Sequence, residues 1–311
     1  MPLDAATTAF LAQLAAAGMK PLHEMTPGEA RELSAVLGEM YGAGPDLHTT
    51  EDVRIPVEGG DILVRVLTPT ADPRGVLVYY HGGGWLIGDV PGHDTLGRVL
   101  AQRTGLTTLL VDYRLAPEHR YPAAAQDAWA ALLWAQENRS RLAPAGGPLI
   151  VCGDSAGGNL SAVVAQRAKA AGPPIDLQVL VYPVTDHDLD TESYLDPANQ
   201  LLLTRDLMIW FWDHYVPDAA RSAEPAASPS RRPTWPGYRR PSSSPPSMTR
   251  CATRARRTPA GWPGPACRCG TSASTARCTA SSRWSTSCRA ARQASTTSWP
   301  RSTSTPGPPD P

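Results

Sequence analysis

The last 82 residues of the chain contain no Leu, Ile, Val or Phe. A segment without aliphatic side chains buries too little apolar surface to offset the conformational entropy that folding removes. Any hydrophobic core must therefore come from residues 1–229, which are long enough for one large α/β domain or two smaller ones. Residues 230–311 are expected to be poorly ordered.

The charge of the chain divides at the same place. The whole chain has 29 Lys and Arg against 29 Asp and Glu, whereas residues 1–229 carry a net −13 and residues 230–311 a net +13. An Arg-rich extension that binds nucleic acid is one interpretation of the second part, because arginines neutralise phosphates. The segment has no patterned basic helix, so no nucleic-acid partner is expected.

The sequence also carries signals about compartment and metal binding. It contains no run of 18 apolar residues and no basic segment before an apolar stretch, so neither a membrane span nor a signal peptide is expected. A single cysteine, Cys152, in residues 1–229 is typical of a reducing, cytoplasmic location. Cys267 and Cys269 lack a second Cys or His pair, so no zinc site is expected.

Apolar segments alternate with helical patterns through the first part of the chain. Short strands and helices that alternate in this way indicate a mostly parallel sheet covered on both faces, which is an α/β fold. Two helices within residues 4–42 and a hairpin at 51–70 precede this pattern. The predicted strands are 76–80, 107–113, 149–152 and 177–182, and the predicted helices are 93–104, 122–138, 159–171 and 204–215.

One five-residue motif, G-x-S-x-G, lies between a predicted strand and a predicted helix. It consists of Gly153, Asp154, Ser155, Ala156 and Gly157. A serine on such a sharp turn projects its hydroxyl above the sheet, and the two glycines are needed because they approach each other closely. Ser155 is therefore the predicted nucleophile.

A second motif, His81-Gly82-Gly83-Gly84, follows an earlier strand 74 residues before Ser155. Consecutive glycines let the backbone turn several N–H groups towards one point, which is what the oxyanion of a tetrahedral intermediate requires. We expect the amides of Gly83, Gly84 and Ala156 to form this oxyanion hole. A flexible loop or a phosphate cradle is the alternative, but the GK[ST] of a P-loop is missing.

These motifs, with D-Y-R-L-A-P-E at 112–118 and GDSAGGN at 153–159, resemble the bacterial hormone-sensitive-lipase-like esterases of the α/β-hydrolase fold. The resemblance covers residues 1–229. It implies a helical cap segment at 1–50, a hydrolase core at 51–229 with a cap helix near 204–215, and an out-of-family tail at 230–311.

The resemblance also implies an activity: hydrolysis of short- to medium-chain carboxylic esters through an acyl-enzyme, with a small-molecule substrate, no cofactor and no metal. Met208 and Trp212 either line the acyl pocket or simply pack within the cap. A homodimer is compatible with the sequence. A non-catalytic small-molecule binder on the same fold is the alternative function.

The chain lacks two parts that a serine hydrolase needs, an acid and a histidine that follow the nucleophile. The resemblance implies an acid in a D-P-L-R-D-E pattern and a His in an H-G-F pattern, and neither occurs. After Ser155 the sequence has only His187 and His214. We expect His187 to be a solvated loop residue and His214 to lie on the surface of the cap helix.

A shift of reading frame near residue 230 explains both the missing motifs and the odd composition. In the neighbouring frame, each codon starts on the third base of the codon for a printed residue. The last base of the Met248 codon (ATG) and the first two bases of the Thr249 codon (ACN) then necessarily form GAC, an Asp codon. Cys278 and Thr279 give His or Tyr in the same frame. The hypothesis places the acid at Thr249 and the base at Thr279, and it means that the last sheet strands are missing from the chain as written.

We expect the coding DNA around Thr249 to spell D-P-L-R-D-E in the neighbouring frame, with a His codon 30 positions later. Sequencing the gene from independent template checks this. Codons that spell neither motif in that frame would refute the hypothesis.

Overall fold

A computed structural model describes residues 4–16, 18 and 20–231. The strands are β1 (Thr49–Val57), β2 (Gly60–Thr68), β3 (Val76–Tyr80), β4 (Thr107–Asp112), β5 (Leu149–Asp154) and β6 (Leu177–Val181). The main helices are α1 (Ala5–Ala16), α2 (Pro27–Glu39), α3 (Val90–Thr104), α4 (Ala123–Glu137), α5 (Arg139–Leu142), α6 (Ser155–Ala171), α7 (Glu192–Leu195), α8 (Arg205–Tyr215) and α9 (Ala219–Ser222).

The described strands form one six-stranded sheet in the order β1-β2-β4-β3-β5-β6. The β1–β2 hairpin and the β2–β4 pair are antiparallel, and the remaining three pairs are parallel. The predicted mostly parallel sheet is confirmed, with the predicted hairpin as its antiparallel edge. The carboxyl ends of β3 and β5, which carry the two motifs, lie side by side in this order.

Helices cover both faces of the sheet, as predicted. Successive side chains of a strand point to opposite faces, and β3 shows both environments. Val76, Val78 and Tyr80 belong to the larger core under α4 and α6. Leu77 and Tyr79 belong to the smaller core under α3. Burial on both faces explains why the strand is apolar throughout.

Two helix starts differ from the prediction. α6 begins at Ser155, four residues earlier than the expected Asn159, because β5 runs into the helix without a loop. α3 begins at Val90 rather than near residue 93, since the Asp89 side chain accepts a hydrogen bond from the Gly92 N–H and caps the helix.

The start of α2 is fixed by reciprocal hydrogen bonds between Thr26 and Glu29. The Thr26 hydroxyl accepts from the Glu29 N–H, and the Glu29 carboxylate accepts from the Thr26 N–H, which is a complete capping box. α2 lies against α3 at Gly38, where an added Cβ would stand 3.0 Å from the Gly92 Cα. The close backbone contact fixes α2 on the core.

The end of the described chain is anchored in the core. The buried Asn159 amide donates to the carbonyls of Val184 and Ala227, each at 2.8 Å. The Ser230 N–H donates to the Thr185 carbonyl at 3.0 Å, so the contacts with the core extend past the expected boundary at residue 229. Residues 232–311, including Cys267 and Cys269, lie outside the described residues.

In the part of the chain that the structure describes, every helix is too short or too polar to cross a lipid bilayer.

A buried ion pair supports the segment that follows β4. The Arg114 guanidinium donates to both Asp127 carboxylate oxygens, at 2.9 and 2.7 Å, and the Arg114 N–H donates to the same carboxylate at 2.9 Å. Asp127 is fully buried. Removing one partner of a buried pair leaves the other charge uncompensated, which is costly.

We expect Asp127→Ala to lower the free energy of unfolding by about 3 kcal/mol. Asp61→Ala, which removes the exposed partner of Arg54, should cost less than about 1 kcal/mol. Urea denaturation of the full chain measures both, and equal losses would contradict the argument.

Candidate active site

The turn at Ser155 has the strained geometry predicted for a nucleophile. Ser155 has a φ of +51°, a region that non-glycine residues rarely adopt, and it is the first residue of α6. The surrounding structure must hold such a conformation in place. The strain turns β5 directly into α6, so the serine stands at the carboxyl edge of the sheet and at the positive end of a 17-residue helix.

The two flanking glycines are required by space. A Cβ at Gly153 would stand 2.6 Å from the Tyr80 carbonyl oxygen and would overlap the Gly157 backbone. A Cβ at Gly157 would overlap the Tyr80 carbonyl oxygen. It would also lie in contact with the His81 carbonyl oxygen. Because these side chains are absent, the serine turn packs directly against the end of β3. The loop that begins there, residues 82–88, opens with Gly82, Gly83 and Gly84 and is called the glycine loop below.

The glycine loop is oriented through its carbonyl groups. The Gly82 carbonyl lies 2.7 Å from His81 Nδ1, and since a carbonyl only accepts, that nitrogen carries the proton. The Gly83 carbonyl accepts from the N–H groups of Leu86 and Ile87 at 3.0 and 2.9 Å. In a planar trans peptide the next N–H points the opposite way, so the Gly83 and Gly84 amides face away from these partners.

Neither of these two amides finds an acceptor among the described residues. The Ala156 N–H lies in the first turn of α6, where backbone donors have no intrahelical partner. None of the three predicted oxyanion-hole donors is therefore paired with an acceptor among the described residues. Gly83 and Gly84 have φ values of +109° and +59°, which only glycine adopts easily.

Asp154 joins the two motifs. Its Oδ1 accepts from the Gly82 N–H at 2.9 Å and from the Tyr79 hydroxyl at 2.6 Å. Burial and the Asp154 carboxylate raise the pKa of Tyr79, which keeps this phenol protonated as a donor. The sequence motif includes Asp154 without revealing this bridge, and the Tyr79 contact has no sequence signal of its own.

His81 is a buried, neutral residue and supports the loop. Its ring stacks between Tyr113 and His93, with centroids 4.3 and 5.0 Å away. Burial, assisted by His93, lowers the pKa of His81 to about 3. The Tyr113 hydroxyl donates to the His81 carbonyl at 2.8 Å.

His187 is not the solvated loop residue that the sequence suggests. Its ring lies edge-on to Trp212, with centroids 4.7 Å apart, and its Nδ1 lies 3.1 Å from the Ser222 hydroxyl. Burial lowers the pKa of His187. His214 lies on α8, half-buried, with Nδ1 donating to the Trp210 carbonyl at 2.8 Å.

Helix α8, the predicted cap helix, packs on the glycine loop. Trp212 is buried against Trp85, with ring centroids 4.9 Å apart, and Met208 is equally buried, which supports the packing interpretation of these residues. A Cβ at Gly84 would overlap the Phe211 ring. The sequence pattern did not single out Phe211 as the α8 residue whose side chain contacts Gly84 of the glycine loop.

The predicted positions of the acid and the base, Thr249 and Thr279, lie outside the described residues. Among the residues that are described, no three His, Cys, Asp or Glu side chains converge as a metal site.

A mostly parallel sheet covered by helices, with a strained serine at a strand–helix turn, is typical of a hydrolase fold. Residues 77–254 match the family described as the alpha/beta hydrolase fold, and the chain belongs to this family. The predicted fold class is thereby confirmed.

Curated relatives agree with the more specific resemblance to hormone-sensitive-lipase-like esterases. The chain is 47% identical over 160 residues to carboxylesterase NlhH of Mycobacterium tuberculosis, covering 50% of each protein. It is 34% identical over 247 residues to an ethyl acetate hydrolase of Pseudomonas putida, covering 74% of this chain and 76% of the relative. The chain spans about half the length of the mycobacterial relatives it matches.

Solved structures give the same result. A hyperthermophilic esterase from the archaeon Pyrobaculum calidifontis is 39% identical, with a TM-score of 0.67 over 74% of this chain and 75% of that protein. A thermostable esterase from Pseudomonas putida is 36% identical, with a TM-score of 0.68 over 74% and 73%.

The buried state of His81 predicts a pH dependence. Its pKa is about 3 in the folded chain and about 6.5 when unfolded, so the unfolded chain binds an extra proton between these values. The stabilising contribution is complete above about pH 6.5 and is lost as the pH falls towards 3, with a slope of about 1.4 kcal/mol per pH unit.

Urea denaturation at several pH values checks this, with His81→Asn as the comparison because Asn keeps a donor but does not titrate. The variant should show a shallower slope between pH 6.5 and 4.5. Parallel slopes in the two proteins would contradict it.

Proposed function

We propose that the protein is a carboxylic-ester hydrolase in which Ser155 is the nucleophile. The observation that carries the proposal is the strained Ser155 turn beside two glycine amides that have no acceptor among the described residues. Backbone donors fixed before the substrate arrives stabilise charge that develops in the transition state without further reorganisation. The names of the relatives, carboxylesterase and ethyl acetate hydrolase, support this reaction class.

In the proposed reaction, Ser155 Oγ attacks the acyl carbonyl carbon of the ester. The carbonyl oxygen gains negative charge and is bound by the N–H groups of Gly83, Gly84 and Ala156. The general base takes the proton from Ser155 Oγ during the attack and passes it to the departing oxygen, so collapse of this intermediate releases the alcohol and leaves an acyl-enzyme on Ser155. Water then attacks the acyl-enzyme, releases the carboxylic acid and restores the Ser155 hydroxyl. His81, Gly82, Asp154, Gly153 and Gly157 act as supports that set the shape of the turn and the loop.

The hydroxyl of serine needs a general base and an acid that orients it. We propose that both are encoded at the positions of Thr249 and Thr279 in the neighbouring frame. We do not assign His187 as the base, because its ring packs edge-on against Trp212 and no hydrogen bond joins it to Ser155 among the described residues. The chain as written should then bind esters without turning them over.

The remaining features of the proposal follow from the resemblance. The substrate is a small-molecule ester with a short to medium acyl chain. A cytoplasmic location is proposed on other grounds, namely the single cysteine of residues 1–229 and the lack of a signal-peptide pattern. Residues 1–50 and the helix near 204–215 form a cap over the core at 51–229. Homodimers are a further proposal that gel filtration tests.

A non-catalytic binder on the same fold is the second candidate, motivated by the missing base. The esterase relatives do not favour it.

We expect the frame-restored protein to hydrolyse p-nitrophenyl esters of short to medium acyl chains. Ser155→Ala should lower kcat by about 10⁶-fold, because members of a triad act as one unit. Spectrophotometric release of p-nitrophenol measures this.

Ser140→Ala, at an exposed serine of α5, serves as the matched control and should keep full activity. Hydrolysis that persists in Ser155→Ala would refute the assignment of the nucleophile. A frame-restored protein that binds but does not hydrolyse any ester would favour the binder.

A further inference from the structure

One arginine of the N-terminal segment reaches the loop that follows the oxyanion-hole glycines. Arg31 lies on α2, and its Nε donates to the Leu86 carbonyl at 2.9 Å. Its Nη2 donates to the Ala116 carbonyl at 2.6 Å. The same guanidinium pairs with both oxygens of the Glu118 carboxylate, at 2.9 and 2.6 Å. One side chain thus joins three points on two separate loops.

The Leu86 carbonyl is well placed to influence the glycine amides. The N–H groups of Leu86 and Ile87 hold the Gly83 carbonyl, and that carbonyl sets the direction of the Gly84 N–H. The Leu86 carbonyl belongs to the same peptide group as the Ile87 N–H. A bond from Arg31 to this carbonyl therefore fixes the plane of a peptide that orients the Gly84 donor.

Ala116, the residue whose carbonyl is the second acceptor of Arg31, supports the same loop through its N–H group. The Ala116 N–H donates to the Trp85 carbonyl at 2.9 Å. Trp85 has a φ of +60° and is buried against Tyr215, with ring centroids 4.3 Å apart. Arg31 therefore binds Ala116, which in turn binds the Trp85 backbone. The Trp85 side chain is held separately, by packing against the buried Tyr215 ring.

The arginine itself is held firmly. α2 is capped by Thr26 and seated on α3 through Gly38, as described above. The hydrogen bonds from Arg31 lower the pKa of Glu118 to about 2, so the carboxylate stays ionised at neutral pH. The planar guanidinium presents its donors in a fixed fork, which an ammonium group does not reproduce.

We propose that Arg31 is a positioning residue of the oxyanion hole: through the carbonyls of Leu86 and Ala116 it fixes the loop that aims the Gly84 amide. This inference rests on the proposed esterase function. It assigns to the N-terminal segment a part in transition-state stabilisation, in addition to covering the core.

The first test measures the loop directly and does not depend on activity. Amide hydrogen exchange of the full chain as written, followed by mass spectrometry, reports on residues 82–88. In Arg31→Gln these amides should exchange at least several times faster than in the parent. Arg54→Gln, which breaks an exposed ion pair with Asp61 on the β1–β2 hairpin, should leave them unchanged.

The second test uses the frame-restored enzyme and p-nitrophenyl esters. Loss of a whole oxyanion donor costs about 10²–10³ in kcat, and a misaimed donor should cost less. Arg31→Gln should lower kcat about tenfold, with KM changed less than twofold. The affinity for a trifluoromethyl ketone, which forms a tetrahedral adduct, should fall by the same factor as kcat.

Two further variants separate positioning from general stability. Glu118→Gln keeps both carbonyl bonds of Arg31 and should lower kcat less than threefold. Arg31→Lys should restore part of the activity, because an ammonium group can still reach one carbonyl, and it also covers the case in which Arg31→Gln fails to fold.

The outcomes are distinct. A frame-restored parent without esterase activity refutes the proposed function. An active parent, with Arg31 variants that change only the melting temperature or only KM, refutes the positioning role alone. Unchanged exchange of residues 82–88 in Arg31→Gln also refutes it.

Discussion

The site depends on one close approach between two backbone turns. The turn after β5 lies so near the end of β3 that a single added Cβ at Gly157 would overlap the Tyr80 carbonyl. This contact brings Ser155 beside the glycine loop, although His81, which precedes the loop, lies 74 positions before Ser155 in the chain. The parallel pairing of β3 with β5 places the two strand ends at one edge, and the missing side chains let them close on each other. The hydrogen bonds of Asp154 then lock the two turns together.

A layer of hydrogen bonds surrounds this contact and fixes the amide donors before any substrate binds. The hydrogen bond of His81 orients the peptide between Gly82 and Gly83. The Leu86 and Ile87 amides orient the peptide between Gly83 and Gly84. Each partner is held in turn: His81 by aromatic stacking, Leu86 by Arg31. Because these bonds form as the chain folds, the energy of ordering the loop is already spent when a transition state arrives. A neutral His81 is essential here, since the charged ring could not remain buried without a partner.

Much of this arrangement could be read from the sequence, and the reasons are local. The strand–helix alternation located β3, β4, β5 and β6, a hairpin prediction at 51–70 located β1 and β2, and the G-x-S-x-G and H-G-G-G motifs located the turn and the loop. Contacts between distant segments could not be read in this way. The bridge from Asp154 to Tyr79, the Phe211 ring on Gly84 and the burial of His187 all depend on tertiary packing. Even the start of α6 was misplaced, because glycines that disfavour helices by propensity sit in its first turn for reasons of space.

The amide of Asn159 has a consequence for how this fold can vary. One buried side chain binds the carbonyls of Val184 and Ala227, so the chain leaves the sheet after β6 and returns beside it at the same point. The segment between Val184 and Ala227 contains α7, α8 and α9. Both of its ends are bound by the same Asn159 side chain. Its length and sequence can change while the sheet, the serine turn and the glycine loop stay in register, since neither end has to move. Changes in this segment that keep the α8 side chains packed on Trp85 and Gly84 would therefore leave the serine turn and the glycine loop in place.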